Sequence, residues 1–328
     1  MNNTFQKNIA SILNDSNLNE REKLFQIQQF STVADVTFEK VDNTQRFFDL
    51  LSAALPQIIE GTYNGMLLPS GYHLFDSKIG GFKEGELAVI GGRPGMGKTF
   101  LMLNLAVQMS KFNPVLFFSY DHSESMIVKR IISTTTKIRS DAFNNIPLSN
   151  EELKKLQELA SHPPEIYIKE GVQLLDDFIA ICERHILNYG VKVIFVDHLQ
   201  LMCPYRSKSK GNPDIGIIIH RLKHFAREHQ VCVIVASGLS RDVEIRDETH
   251  RPIFTDLLDF ELVGLKADKI IFIYRPEYYA LASDDSEGKC RVELIIAKNN
   301  SGTSGDLLYE RDKIFTTLRE IGSLDFLF

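Results

Sequence analysis

The chain has 328 residues, 44% of them hydrophobic and 24% charged, and carries a net charge of −6. Those proportions suit a soluble globular protein and exclude wholesale disorder, a collagen-like repeat and a coiled-coil rod. Because the balance is acidic, any affinity for nucleic acid has to come from a local basic patch. No apolar run approaches the roughly 18 residues that would span a bilayer. The opening MNNTFQKN lacks the basic-then-apolar order of a secretory signal. Four cysteines, Cys182, Cys203, Cys232 and Cys290, lie far apart with no CxxC. That spacing argues against a disulfide framework or zinc module and for a reducing, cytoplasmic setting.

In chain order, residues 1–60 read as a helical extension. Phe5, Ile9, Ile12 and Leu13 form a helical stripe, Asn14–Asn17 is a turn signal, and Leu18–Phe30 is a second short helix. A third, Gln45–Ile59, places Phe47, Leu51, Leu55 and Ile58 on one face, with Pro56 inside it as a kink. Helices this small form no core alone and must pack on the main domain or on a neighbouring subunit.

Residues 61–328 change character. Short runs rich in Val, Ile and Phe predict strands at Glu86–Ile90, Val115–Ser119, Glu165–Ile168, Val191–Val196, Val231–Ser237, Lys269–Tyr274 and Val292–Ala297. Several are apolar almost throughout, as in a parallel sheet covered on both faces. Helices are predicted between them at Lys98–Lys111, Ser123–Thr135, Asn150–Ser161, Leu175–Tyr189 and Ile215–His229. The alternation predicts a doubly wound α/β domain. Arg206–Asp214 reads as a polar, Gly/Pro-containing loop.

The segment Gly92-Arg93-Pro94-Gly95-Met96-Gly97-Lys98-Thr99 fits GxxxxGK[ST] between a predicted strand and a helix opening at Phe100. Glycines let the backbone N–H groups wrap a phosphate, and the helix N-terminus adds partial positive charge. Lys98 is expected on the β- and γ-phosphates of ATP, and the Thr99 hydroxyl on Mg²⁺. Val191–Asp197 is an apolar strand ending in an acid, so Asp197 is the expected metal carboxylate. Pro114–Asp121 is a second such strand. Asp121 either orients the attacking water, if its strand neighbours the P-loop strand, or caps the helix near Ser123.

Together these motifs resemble the ATPase domain of the replicative, DnaB-like hexameric DNA helicases. GGRPGMGKT, FFSYDHSESMIVKR and VIFVDHLQLM carry the likeness, followed in the same order by RLKHFAREH, VIVASGLSR, ADKIIFIYRPEYY and ELIIAKNNSGTSG. It runs from about Met66 to Arg311. The resemblance implies a RecA-like P-loop ATPase with a mostly parallel sheet flanked by helices, working as a homo-oligomeric ring on single-stranded DNA with replication or loader proteins. It implies a linker-like helix at Gln45–Gly61, an arginine near the nucleotide at Arg130, and an inter-subunit lysine at Lys298. Four departures accompany it. Asp121 stands at the family's catalytic glutamate. Gly238 takes the place of a γ-phosphate-sensing glutamine, and Asn300 that of an arginine finger. Asp256–Leu262 replaces a polar segment that contacts DNA backbone.

Nucleic-acid candidates are Tyr205, Arg206, Lys208 and Lys210 in one loop and Arg241, Arg246 and Arg251 in a second patch. Acidic neighbours make an ordinary solvated loop an equal reading. His122 and His198 follow the two key acids, as γ-phosphate neighbours or as packing residues. Two functions stay open: a working ATP-driven helicase or translocase, and a nucleotide-gated scaffold with slow hydrolysis.

Overall fold

The computed structural model describes residues 67–143, 147–171, 174–202, 215–246, 248–279, 289–312, 314 and 316–323. The predicted helices and linker within residues 1–61, the boundary at 60/61, and the loop carrying Tyr205, Arg206, Lys208 and Lys210 lie outside them.

A two-residue antiparallel pair, β1 (Leu67–Leu68) and β2 (Phe82–Lys83), encloses α1 (His73–Ile79). The main sheet then takes its strands in chain order. These are β3 (Leu87–Gly91), β4 (Val115–Ser119), β5 (Ile166–Glu170), β6 (Val193–Asp197), β7 (Cys232–Ser237), β8 (Lys269–Tyr274), β9 (Lys289–Asn299), β10 (Gly305–Asp312) and β11 (Thr317–Ser323). Between them lie α2 (Lys98–Met109), α3 (Glu124–Thr136), α4 (Asn150–Ser161), α5 (Leu175–Tyr189), α6 (Ile215–His229), α7 (Val243–Arg246) and α8 (Phe260–Lys266). The spatial order in this nine-stranded sheet is β11-β10-β9-β8-β3-β7-β6-β4-β5. From β8 to β5 every pairing is parallel. From β8 to β11 every pairing is antiparallel, an edge meander.

The apolar runs explain the parallel half. Every residue of β3, β4, β6, β7 and β8 is buried, because helices cover both faces. Alternate residues supply two cores: Ala88 and Ile90 join the side chains of α2 and α3, while Leu87 and Val89 join those of α5 and α6. The predicted strands and the five predicted helices between them are present, with ends shifted by a few residues.

Short elements and the meander escaped prediction. Helices α1, α7 and α8 have at most 7 residues, too few for a helical periodicity to show. In β10, Leu307, Tyr309 and Arg311 share one face, with Leu307 and Tyr309 buried and the half-buried Leu308 and Glu310 on the other face. That is the alternation of a strand with one face on the core, diluted by four charged residues among eight.

One consequence of the topology corrects a sequence expectation. Strand β4 does not neighbour the P-loop strand β3, since β7 and β6 lie between them. The site is assembled instead by α2, which crosses the sheet and packs against β7, β6 and β4. Its N-terminus therefore faces the ends of β6 and β4, neither of which is next to the P-loop strand.

Candidate nucleotide site

Residues 91–97 join β3 to α2 in a tight loop. Gly95 and Gly97 adopt φ of +81° and +104°, values that side chains with a Cβ rarely take. Gly92 is needed for space, because a Cβ there would lie 2.8 Å from Ile273. Met96 is buried in the core. Arg93 turns away from the loop's concave side, its Nε donating to Glu244 at 2.9 Å and its Nη1 to the Leu239 carbonyl at 2.9 Å. Arg275 braces the loop from behind by donating to the Gly95 carbonyl at 2.9 Å.

A cavity of about 720 Å³ opens in front of the loop. Pro94, Gly95, Gly97, Lys98, Thr99, Phe100, Asp121, His122, Arg130, Asp197 and His198 all line it. So the structure brings together most positions that sequence reading had drawn from three separate segments. Lys98 Nζ rests on the carbonyls of Gly92 at 2.7 Å and Arg93 at 3.3 Å. Burial pulls its ammonium below the usual lysine value, while Asp197 pulls it back up.

Asp197 is 2% exposed, at the C-terminal end of β6. Burial raises its carboxyl above the ordinary aspartate value, and the Thr99 hydroxyl, His198, His122 and Lys98 oppose that rise. Its Oδ2 has no hydrogen-bond partner among the described residues. A buried carboxylate oxygen without a donor is costly unless a ligand meets it. Together with the Thr99 hydroxyl it makes a hard oxygen pair suited to Mg²⁺.

Asp121 resolves one alternative. The N-cap of α3 is Ser123, whose hydroxyl accepts from Met126 N at 3.4 Å, so Asp121 is not the cap. Its side chain is 71% exposed and lies 3.8 Å from His122 Nδ1. It faces the cavity without being held by a strong partner. Arg130, on α3, also faces it, and burial lowers its guanidinium below the usual arginine value.

Other predicted residues are elsewhere. Lys298 does not line the cavity; its Nζ donates to the carbonyls of Gly264 at 2.8 Å and Ala267 at 2.7 Å, closing the end of α8. Asn300 hands its backbone N–H to the Asp268 carbonyl at 2.9 Å. The second basic patch is occupied by ion pairs: Arg246 grips buried Asp256 at 2.6 and 2.7 Å, and Arg251 pairs with Glu293 and, at 2.6 Å, with Asp306. Arg251 also lies over the Tyr274 ring. These pairs give Arg246 and Arg251 a structural task in place of an open phosphate-binding face. Arg241 remains exposed.

Two departures from the family pattern meet in space. A Cβ on Gly238 would lie 2.9 Å from Leu258 Cδ1. Leu258 N also donates to the Gly238 carbonyl at 3.2 Å, and Leu239 bridges Leu257 beside it. Leu258 is 37% exposed, so a longer side chain at position 238 would have to displace the free end of this leucine.

Sequence reading missed the cavity's far wall, formed by Asn104, Thr134, Arg311 and Thr316. Two signals were available. Asn104 is a polar residue inside the apolar α2, where its amide donates to the Phe100 and Thr316 carbonyls and accepts from Leu318 N. Arg311 is a charge on the inward face of an alternating strand.

Comparison with known proteins agrees with this geometry. Residues 67–319 match the family described as DnaB-like helicase C terminal domain. The chain is 30% identical over 298 residues to a probable replicative DNA helicase of Trieres chinensis, covering 88% of this chain and 65% of that protein. It is also 30% identical over 282 residues to the replicative DNA helicase DnaB of Geobacillus stearothermophilus, covering 84% of this chain and 59% of that protein. It therefore spans about three-fifths of the length of these relatives. Among solved structures, an isolated ATPase domain superposes with a TM-score of 0.76 at 27% identity, over 85% of this chain and all of that one. A DnaB-like replicative helicase, solved for its interactions with primase, gives 0.74 at 25% identity, over 97% of this chain and 75% of that one. A KaiC-like protein from Pyrococcus horikoshii shares the fold alone, at a TM-score of 0.52 and 14% identity. The fold is RecA-like, and the chain belongs to the DnaB-like helicase C-terminal domain family.

Proposed function

We propose that this protein is an ATP-dependent DNA helicase or translocase of the replicative type. The observation that carries the reading is the floor of the cavity: Lys98 and Thr99 at the start of α2 face a buried Asp197 whose Oδ2 lacks a donor. Thr99 and Asp197 would hold Mg²⁺, which when bound neutralises phosphate charge. Lys98 would move from the loop carbonyls to the β- and γ-phosphates, and the loop N–H groups would cradle them. Arg130 would add positive charge on the other side. Asp121 would accept the proton of the attacking water; its high exposure suits a group awaiting a partner.

In this reading the domain works in the cytoplasm as part of a homo-oligomeric ring, with ATP at subunit interfaces and single-stranded DNA as its track. Tyr205, Arg206, Lys208, Lys210 and Arg241 remain the residues for DNA contact. Replication or loader proteins would be its partners. Among the described residues, no helix is long and apolar enough to cross a membrane.

A second reading has its own support. The contact of Leu258 with Gly238, and the uncharged Asn300 tied to Asp268, leave two family functions without their side chains. That favours a nucleotide-gated scaffold with slow hydrolysis, regulating replication or a mobile element. Steady-state ATP turnover with and without single-stranded DNA separates the two, with Lys98→Ala as the blank. Turnover that rises with DNA and disappears in the blank supports the motor. ATP binding with turnover no faster than the blank rejects the motor and leaves the scaffold.

A further inference from the structure

The turn that follows β4 is held more firmly than the acid it carries. Ser119, the fully buried last residue of that strand, donates its hydroxyl to the His122 carbonyl at 2.5 Å and accepts from His122 N at 3.2 Å. One side chain thus fixes the backbone of His122 on both sides of its Cα. Tyr120 N donates to the Asp197 carbonyl at 2.7 Å, which ties the same turn to β6. Between these anchors Asp121 extends outward, its side chain 71% exposed.

The His122 ring is in the opposite position. It is 20% exposed and lines the cavity beside Asp121. Its Nδ1 is buried and has no hydrogen-bond partner among the described residues. A buried ring nitrogen in that state costs free energy until a partner meets it. Among the described residues, the carboxylate oxygen within ion-pairing reach of this nitrogen is Asp121 Oδ2, 3.8 Å away. That is about 1 Å longer than a hydrogen bond. Asp121 has the freedom to close the gap, because its side chain lies largely in solvent and the ring does not. Catalytic hydrogen bonds are commonly long before the ligand arrives and tighten once it is bound.

Water activation asks for one orientation of the carboxylate. An exposed aspartate samples several, and holding it in one has an entropic cost. A fixed Nδ1–H selects the orientation that brings Oδ2 to the ring and leaves Oδ1 for the water. We propose that His122 is the positioning residue of the water-activating acid, donating Nδ1–H to Asp121 Oδ2 in the nucleotide-bound state. The imidazole keeps its proton throughout. Asp121 takes the proton of the water, whose oxygen bonds to the terminal phosphorus. The bond from that phosphorus to the bridging oxygen breaks, and ADP leaves with the electron pair. Nucleotide affinity stays with the P-loop, so His122 acts on turnover and not on binding.

This inference rests on the reading of Asp121 as the base, and the measurements keep the two apart. Steady-state ATP turnover of the full chain with single-stranded DNA gives kcat and KM for wild type, Lys98→Ala, Asp121→Asn, His122→Asn, His122→Gln and His122→Ala. Melting temperatures and affinity for a non-hydrolysable ATP analogue with Mg²⁺ accompany each variant, to establish that it folds and binds. An asparagine amide nitrogen falls where Nδ1 lies in histidine, and a glutamine amide nitrogen where Nε2 lies. His122→Ala and His122→Gln are expected to lose about tenfold or more in kcat, with KM and analogue affinity within about twofold of wild type. His122→Asn is expected to recover kcat to within about threefold. The same kcat in all three His122 variants, whether reduced or at the wild-type value, would overturn the inference. So would recovery by glutamine instead of asparagine, or a loss that appears in KM and analogue affinity. Unchanged turnover in Asp121→Asn overturns Asp121 as the base, and a wild type no faster than Lys98→Ala overturns the motor; either removes the inference with it.

Discussion

The cavity floor and the segment beyond β7 solve opposite problems. At the floor and on the far wall, polar groups are buried with their chemistry unmet: Asp197 Oδ2 lacks a donor, Arg311 Nε lacks an acceptor, and Lys98 is held only by loop carbonyls. Beyond β7 the chain is self-satisfied. Leu258 packs on Gly238, Ser240 N donates to the Asp256 carbonyl at 2.7 Å, and Arg246 closes over Asp256. Unmet polar groups in a cavity cost free energy that a ligand recovers, whereas matched contacts stabilise the chain without one. On the proposed reading, the difference separates a floor left open for phosphate from neighbouring positions, resembling the family's sensing and DNA-contact positions, whose side chains pack on one another.

The sharpest way to break this contrast is Lys98→Ala, which removes the charge that the floor presents to phosphate. Nucleotide affinity should fall about 100-fold or more, as for loss of a charge-assisted contact, with little change in ligand-free stability. Titration calorimetry reads the affinity, and a loss below about threefold would separate Lys98 from the site.

Arg246→Met tests the other region. It strands the buried Asp256 carboxylate and should cost about 2 kcal/mol in urea unfolding, discounted from a fully buried pair because Arg246 is itself partly exposed. A cost below about 0.5 kcal/mol would return Arg246 to the candidates for DNA contact.

Gly238→Gln should cost about 1 kcal/mol, because its Cβ meets the end of the Leu258 side chain, which has to turn aside. A neutral substitution at this position would show that the contact yields freely.

The smallest effect runs in the stabilising direction. Burial raises the Asp197 carboxyl above its unfolded value, so the native state holds that proton more readily than the unfolded chain does. Stability from this group is therefore greatest at low pH and declines as pH rises from the ordinary aspartate range through the raised value. Asp197→Asn removes that decline. The ligand-free melting temperature at pH 7 should rise by about 2–4 °C, with the gain disappearing at acid pH. A lowered melting temperature at pH 7 would mean that the carboxylate contributes native contacts worth more than its desolvation costs.

Legibility in the sequence followed how local each signal was. The P-loop and the strands ending at Asp121 and Asp197 are contiguous, and their apolar runs show in the residues themselves. What the sequence did not contain was their spatial order. It left Asp121 conditional on a strand adjacency that the sheet lacks, because α2 rather than a neighbouring strand carries the P-loop to the ends of β6 and β4. The ion pairs of the second basic patch were illegible for a related reason. Arg246 and Arg251 find carboxylates 10 to 55 residues away, pairings that local charge counting does not see. Half of the cavity's far wall, Arg311 and Thr316, comes from β10 and the chain just after it, where alternation was masked by charges, so Arg311 went unnoticed. The link between Gly238 and Leu258 joins two departures that looked independent along the chain.

Whether that link is real decides whether the sensing and DNA-contact positions were given to packing together. A double-mutant cycle in urea tests it most directly: wild type, Gly238→Gln, Leu258→Ser and the pair together. The pair is expected to be less destabilised than the sum of the single changes by about 1 kcal/mol or more, because removing the leucine opens room for the glutamine. Additivity within about 0.3 kcal/mol would contradict this, leaving Gly238 and Leu258 as separate substitutions with no shared structural cause.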